Sequence, residues 1–314
     1  MRFMERTILK LVAAALLFTA KARADEPGTG STSPPASESS NDTPSDTQTA
    51  AQDSQPSSGK AKGGLWEAWE QTADEVQATQ PQWLSPLATT SGRLKNEFRY
   101  DIWGQPTIGG NDLYQLGGNK GFEFITSSRT QLLIGVPTYD LESPNGSPGG
   151  FGDLPLMLKF RIASAEEREG NYLLTFLLAA TVPTGSHRYG AGDSVLSPTL
   201  AFGKGWGRFD AQSTFGANLP AGDTAKLGRQ LQWNTAFQYR AAWKLWPEIE
   251  VNSTFYETGK NAGDKQTFLT PGLGFGRIRL VRNLRFSSAA GMQIATTGFH
   301  TYNHRWMLSM RASF

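Results

Sequence analysis

From about Arg93 to Phe314 the chain switches polarity residue by residue, and that period of two constrains its fold more than any other feature. In the closing stretch, Trp306, Leu308, Met310, Ala312 and Phe314 fall on one side. Arg305, Met307, Ser309, Arg311 and Ser313 fall on the other. Such alternation belongs to a strand whose two faces meet different solvents. Leu154, Leu156, Leu158, Phe160 and Ile162 oppose Asp153, Lys159 and Arg161 in the same way, and Phe98, Tyr100 and Ile102 oppose Glu97, Arg99 and Asp101. Further on, Leu231, Trp233, Phe237, Tyr239 and Trp243 oppose Gln232, Asn234, Gln238 and Arg240.

The pattern predicts about twelve strands, at 93–103, 119–127, 130–139, 152–162, 171–183, 194–204, 207–218, 230–244, 247–257, 267–278, 283–295 and 302–314. Lengths of about 10 residues suit a tilted strand crossing a hydrocarbon layer. Links after the second, sixth, eighth and tenth strands are short, whereas those after the first, third, fifth, seventh and ninth are longer and rich in Gly, Asp, Asn and Pro. Short turns at one end and long loops at the other are the signature of outer-membrane barrels. A soluble β-sandwich would bury the same apolar faces in a core. Trp103, Trp206, Trp243, Trp246 and Trp306 near strand ends instead read as interfacial girdles. The expected fold is an all-β, transmembrane, antiparallel up-and-down barrel over 93–314. Its final strand, ending on Phe314, is the segment that barrel-assembly machinery would read, and its outer face would meet outer-membrane lipids.

Ahead of the barrel lie three segments. Residues 1–24 carry Arg2, Arg6 and Lys10, the apolar run Leu11–Ala20 and the small-residue site Ala22-Arg23-Ala24, as in a secretory signal peptide. Its ten apolar residues fall short of the roughly 20 that span a bilayer as a helix. Residues 25–63 are Ser/Thr/Pro-rich without aromatic, Leu, Ile or Val side chains, so disorder in the periplasm is expected. Residues 64–92 hold Leu65, Trp66, Trp69, Ala73 and Val76 at helical spacing, followed by Pro81, Trp83 and Pro86. Removing residues 1–24 takes the formal charge from +2 to −2, so nothing points to nucleic acid. The absence of cysteine excludes disulfides, a lipoprotein anchor and cysteine metal sites. A mean hydropathy of −0.40 is compatible with a barrel, which needs apolar residues only at alternate positions.

Related words recur at the long-loop end: GVPTYD at 135–140, TVPTGS at 181–186 and NLPAGD at 218–223, then GFGD at 150–153, GAGD at 190–193 and AGDK at 262–265. Proline belongs at strand ends and Gly-Asp in tight turns, so turn chemistry outweighs cation binding for these aspartates. Pro155, Pro198 and Pro271 fall inside expected strands and predict bulges or kinks. FRYD at 98–101, GVPT at 135–138, GGFGDLPLMLKFRI at 149–162 and VPTG at 182–185 resemble the outer-membrane barrels named for the MetA pathway of phenol degradation. That resemblance covers most of 93–314. It implies passage of small molecules, aromatic or apolar ones among them, and no catalytic residue.

Catalysis would need a serine beside a histidine base. His187, His300 and His304 are the only histidines, all in or near loops, and none precedes a serine in a His-x-Ser arrangement. A non-enzymatic channel or transporter without cofactor or metal is therefore expected, its substrate unspecified. The alternatives are a closed tethering barrel of the cell envelope and, third, a lipid-modifying barrel enzyme. Gly272–Gly276 (GLGFG) reads as small lumen-facing residues that leave room in the barrel. Parity places Glu97, Arg99, Asp101, Glu123, Lys159, Arg161, Asp210, Arg240, Glu250, Arg285, Arg305 and Arg311 inside as pore-lining candidates. Leu65, Trp66 and Trp69 are candidates for docking a plug helix at the periplasmic mouth; otherwise the helix lies against the membrane or the turns. Residues 93–314 carry 23 basic and 17 acidic side chains, an excess that favours anions in an open pore.

Overall fold

Each of the twelve expected strands forms and pairs antiparallel with its neighbours in the chain. The computed structural model describes residues 64–107, 110–118, 120–143, 148–281 and 284–314; the signal-peptide and Ser/Thr/Pro-rich segments lie outside the described residues. The strands are β1 (Glu97–Pro106), β2 (Asp112–Gly117 and Gly121–Ile125), β3 (Thr130–Gly135 and Tyr139–Ser143) and β4 (Gly150–Phe151 and Leu154–Ala165). They continue as β5 (Tyr172–Val182), β6 (Val195–Trp206), β7 (Phe209–Pro220) and β8 (Gln230–Tyr239). The last four are β9 (Leu245–Tyr256), β10 (Lys265–Val281), β11 (Leu284–Ala295) and β12 (His304–Ser313). One helix, α1 (Leu65–Ala78), precedes them. The sheet closes on itself where β1 pairs with β12, from Glu97↔Ser313 to Gly104↔Trp306.

The barrel is inside-out. Glu97, Arg99, Asp101, Lys159, Gln212, Glu250, Thr270 and Arg311 are buried, while Phe122, Phe176, Leu200, Phe215, Phe237, Ile249 and Leu273 are exposed on the outer wall. In water, each large apolar side chain left outside would forfeit about 1.5–3 kcal/mol. In a bilayer the same distribution is the favourable one.

The aromatic girdle is smaller than expected. Trp206, 60% exposed, and Trp306 stand on the outer wall. Trp103 and Trp246 do not. Trp103 shares its face with Arg99 and Asp101, and its ring stacks 3.6 Å from the Arg305 guanidinium. Trp246 is buried on the face of Glu248 and Glu250. Strand parity, rather than nearness to a strand end, decides which side a residue takes. The side chain of Trp243 lies outside the described residues.

The strand prolines also differ from expectation. Pro155 pairs with Thr181, Pro198 with Leu178 and Pro271 with Ile249, all in unbroken register. Between β10 and β11 the ladder stops at Leu269↔Ile294 and resumes at Gly272↔Gly291 without a shift. A missing donor thus removes a rung, not the register. The register shifts fall elsewhere, at Arg161/Ala163 in β4 and at Phe275/Ile278 and Arg279/Val281 in β10.

Three adjacent strands are interrupted side by side, β2 after Gly117, β3 after Gly135 and β4 after Phe151. The GVPT and GFGD words occupy two of these breaks. Gly117 and Gly118 have φ of 105° and 62°, and a Cβ on Gly118 would lie 2.4 Å from the Asp101 Cβ, so glycine is required there. Asp153 accepts the N–H groups of Gly185 (2.9 Å) and Ala191 (2.8 Å), tying the β5–β6 loop to the break. That is the turn chemistry expected of the rim aspartates.

If the outer wall faces lipid, Phe215→Arg in the middle of β7 should cost about 2–4 kcal/mol and Phe209→Arg at its end about 0–1 kcal/mol. Urea unfolding of protein refolded into vesicles checks this. Equal costs at both depths would contradict it.

Candidate functional site

The lumen of the barrel holds the chain's own segment between α1 and β1. Helix α1 ends at Thr79, whose hydroxyl caps the carbonyls of Glu75 and Val76 at 3.2 Å, and Pro81 follows. Ala73 and Val76 bury one helical face against Ile125 of β2 and Leu94, and Trp69 Nε1 donates to Ile125 O at 2.7 Å. Arg161 of β4 donates to Val76 O at 3.0 Å, and Ser164 to Thr79 O at 2.8 Å. Together these contacts set α1 beside the β2–β3 turn, at the mouth where the short turns lie. From there residues 80–96 run into the barrel and return. Gln80 links the two limbs, donating to Leu94 O at 2.5 Å and accepting from Leu94 N at 3.0 Å.

The wall grips this segment mainly by its main chain. Arg277 donates to Trp83 O at 2.6 Å and Gln212 to Leu84 O at 2.9 Å. Arg311 donates to Ser85 O and, at 3.0 Å, to Pro86 O. Arg99 reaches Pro86 O at 3.2 Å and Leu87 O at 2.6 Å. Glu250 then accepts from two successive amides, Ala88 N at 2.7 Å and Thr89 N at 2.6 Å. On the return limb Lys159 donates to Ser91 O and Arg93 O at 3.2 and 3.3 Å. Leu84 and Ser85 are held from β7 and β12, five strands apart round the ring, so the segment crosses the lumen rather than lining one wall.

Side chains are seated by absence of wall. A Cβ on Gly203 would lie 2.6 Å from the Trp83 ring, and one on Gly205 2.7 Å from its Nε1. Gly274 and Gly276 leave the space taken by Leu84, at 2.3 and 2.9 Å, and Gly291 that of Leu87, at 2.8 Å. The room provided by the GLGFG stretch is thus filled by the chain's own segment. Trp83, Leu84 and Leu87 are each no more than 3% exposed.

The sequence-derived candidates separate into three groups. Glu97, Arg99, Asp101, Glu123, Lys159, Asp210, Glu250 and Arg311 are buried inside the barrel. Three of them join Lys95 in a dry network, Lys159–Glu123 at 2.8 Å, Lys95–Glu123 at 3.5 Å and Lys95–Glu97, and two more form a separate pair, Arg99–Asp101 at 2.9 Å. Removing one member of such a buried pair typically costs about 3–5 kcal/mol. Arg161, Arg240 and Arg285 lie toward the turn-side mouth, where Arg240 makes a two-pronged pair with Glu167. Arg305 lies toward the opposite mouth, between the rings of Trp103 and Tyr302 at 3.6 and 3.9 Å, and donates to Gln105.

Of the plug-helix candidates, Trp66 is 65% exposed and Trp69 half-buried; the Leu65 side chain lies outside the described residues. The segment after the helix, not the helix, enters the lumen. In the sequence, residues 79–92 read only as a connector, because main-chain recognition leaves no periodic pattern. The available signal was Trp83, Leu84 and Leu87 with no strand of their own, matched by glycines at inward positions of β6, β10 and β11.

Beyond the tip of the segment a chamber of about 130 Å³ is bordered by Thr90, Met157, Leu177, Ser197, Asn218 and Asn234. Its lining is hydroxyl, amide and apolar, without a charged side chain. His187 and His304 are exposed, and both ring nitrogens of His300 are engaged, with Thr297 O at 2.9 Å and Asn303 at 2.6 Å. Among the described residues no group of three His, Asp or Glu is placed to hold a metal ion.

The sequence matches no protein-family model and no curated protein. Among solved structures, the COG4313 outer membrane channel from Pseudomonas putida F1 is similar over 74% of this chain and all of that one, at 14% identity and a TM-score of 0.50. A NanC porin is similar over 68% of this chain and 98% of that one, at 7% identity and a TM-score of 0.45. The likeness to the first extends to the barrel fold.

Two outcomes follow from the grip and the sockets. Glu250→Ala should raise amide exchange at Ala88 and Thr89 about 10- to 100-fold, since each bonds to a charged group. Unchanged exchange by mass spectrometry would contradict the seating. Gly274→Leu should expel Leu84 and make residues 80–92 cleavable by protease in a barrel that still shifts on a heat-modifiability gel. Retained resistance would count against the socket.

Proposed function

We propose that this chain is an outer-membrane channel for small molecules, gated by its own segment Gln80–Asn96. The observation that carries the reading is the path of that segment. It enters and leaves by the same mouth, α1 standing at the turn side and β1 starting there, so it can withdraw without threading through the barrel. On the near side Gln82 donates to Gln77 O of α1 at 2.7 Å, whereas deeper in the segment is held by Arg99, Arg311 and Glu250. In this reading residues 1–24 direct export, residues 25–63 lie in the periplasm, and assembly machinery recognises the last strand through Phe314. The resemblance to the MetA-pathway barrels supports small molecules, aromatic or apolar ones among them, as cargo.

With the segment seated, much of the lumen's charge is committed to it or to internal pairs, and the space beyond is uncharged. With it withdrawn, Arg99, Arg277, Arg311 and Lys159 are released from the main chain and the basic excess of the barrel bears on passing ions. A second reading, a sealed tethering barrel, is favoured by one observation: Glu250 and Arg311 at the grip are 0% and 1% exposed.

Planar-bilayer recording separates the two. The refolded chain starting at Asp25 should conduct little, and the same chain lacking residues 25–92 should show larger discrete steps with an anion-favouring reversal potential. Equal conductance would remove the gate, and a cation-favouring potential would remove the charge assignment. Silence from both, with the barrel folded, would select the sealed barrel.

A further inference from the structure

The barrel wall reads peptide main chain over a run of seven residues, and the run has a direction. Five successive carbonyls, Trp83 to Leu87, each receive a donor from Arg277, Gln212, Arg311 or Arg99. The next two amides, Ala88 and Thr89, both donate to the one carboxylate of Glu250. None of these residues belongs to a helix or strand, so the wall supplies what secondary structure otherwise would. Main-chain contacts give affinity without regard to sequence, and pockets for selected side chains add selectivity. Here the pockets are the glycine-lined recesses for Trp83, Leu84 and Leu87. Because the wall takes carbonyls from Trp83 to Leu87, the missing N–H of Pro86 costs nothing.

We propose that the lumen is a peptide-binding site, that Gln80–Gly92 is its built-in occupant, and that the emptied barrel accepts a short uncharged oligopeptide in trans. The ligand class follows from the contacts: main chain free of helix, an adjacent pair of large apolar residues, a third apolar residue three positions after the second of them, and tolerance of proline between. Six wall side chains aimed at carbonyls and amides are far more than a small apolar solute would engage. This goes beyond the gate, and rests on it only in that the resident segment must be able to leave. A tethered occupant acts at an effective concentration of the order of millimolar, so a free peptide competes only once the resident is weakened.

The test weakens the occupant and keeps the wall. The full chain carrying Trp83→Ala, Leu84→Ala and Leu87→Ala retains every strand and every gripping side chain. The probe is the synthetic peptide QPQWLSPLATTSG, matching Gln80–Gly92, added at the turn side of a planar bilayer, with direct binding to the refolded variant followed by the fluorescence anisotropy of a dye on the peptide N-terminus. The expected result is saturable binding and block of current, with the triple-alanine peptide and a scrambled peptide at least tenfold weaker. Absence of binding at millimolar peptide, or equal binding by the matched and scrambled peptides, would overturn the site. Binding is read whether or not the variant conducts. The proposal can therefore fail while the gate stands, and the gate can fail while the site stands.

Discussion

Two sets of polar groups in this molecule meet inside the barrel, and much of each is satisfied by the other. A barrel in lipid turns its polar face inward, and in a ring of twelve strands the charged side chains that result are crowded and dry. Burying such charges unpaired is prohibitive. A stretch of main chain without helix or strand carries the same liability in its carbonyls and amides. The structure brings the two together. The planar guanidinium groups of Arg99 and Arg311 each span two adjacent carbonyls, a geometry for which arginine's rigid fork is pre-organised. Glu250 answers with two oxygens for two amides. Around this grip, Lys159, Glu123, Lys95 and Glu97 neutralise one another.

Packing reinforces the polar grip. Alternate inward positions are glycine in β6 (Gly203, Gly205) and β10 (Gly274, Gly276), so the wall recedes where Trp83 and Leu84 arrive. The recesses add no apolar side chains to the lumen, so the wall stays polar enough to hold water should the segment leave. The uncharged chamber beyond Thr90 is thus the part of the lumen not shaped by the occupant, and the charged part is shaped for it.

Twelve strands were legible because period-two alternation writes both the existence and the facing of each one, and the closure of β1 on β12 follows from an even count with matched ends. The parity list for the lumen placed Arg99, Lys159, Glu250 and Arg311 inside the barrel for the same reason. What parity does not encode is the partner. Nearness to strand ends points Trp103 and Trp246 outward, yet each lies on the face of charged neighbours. The prolines were assigned bulges, although loss of one donor leaves the register intact. Residues 80–92 were hardest to read. A segment recognised through carbonyls and amides shows no period, and its trace is three apolar residues without a strand, matched by glycines far along the chain.

A photo-crosslinking benzoylphenylalanine in place of Trp83, irradiated in intact envelopes and followed by peptide mapping, reports directly where the segment sits. The adduct should fall on the β6 peptide that contains Gly203 and Gly205, in a barrel still folded by heat-modifiability. An adduct confined to lipid, to another envelope protein or to α1 would show that the segment lies outside the lumen and would contradict its seating against the wall.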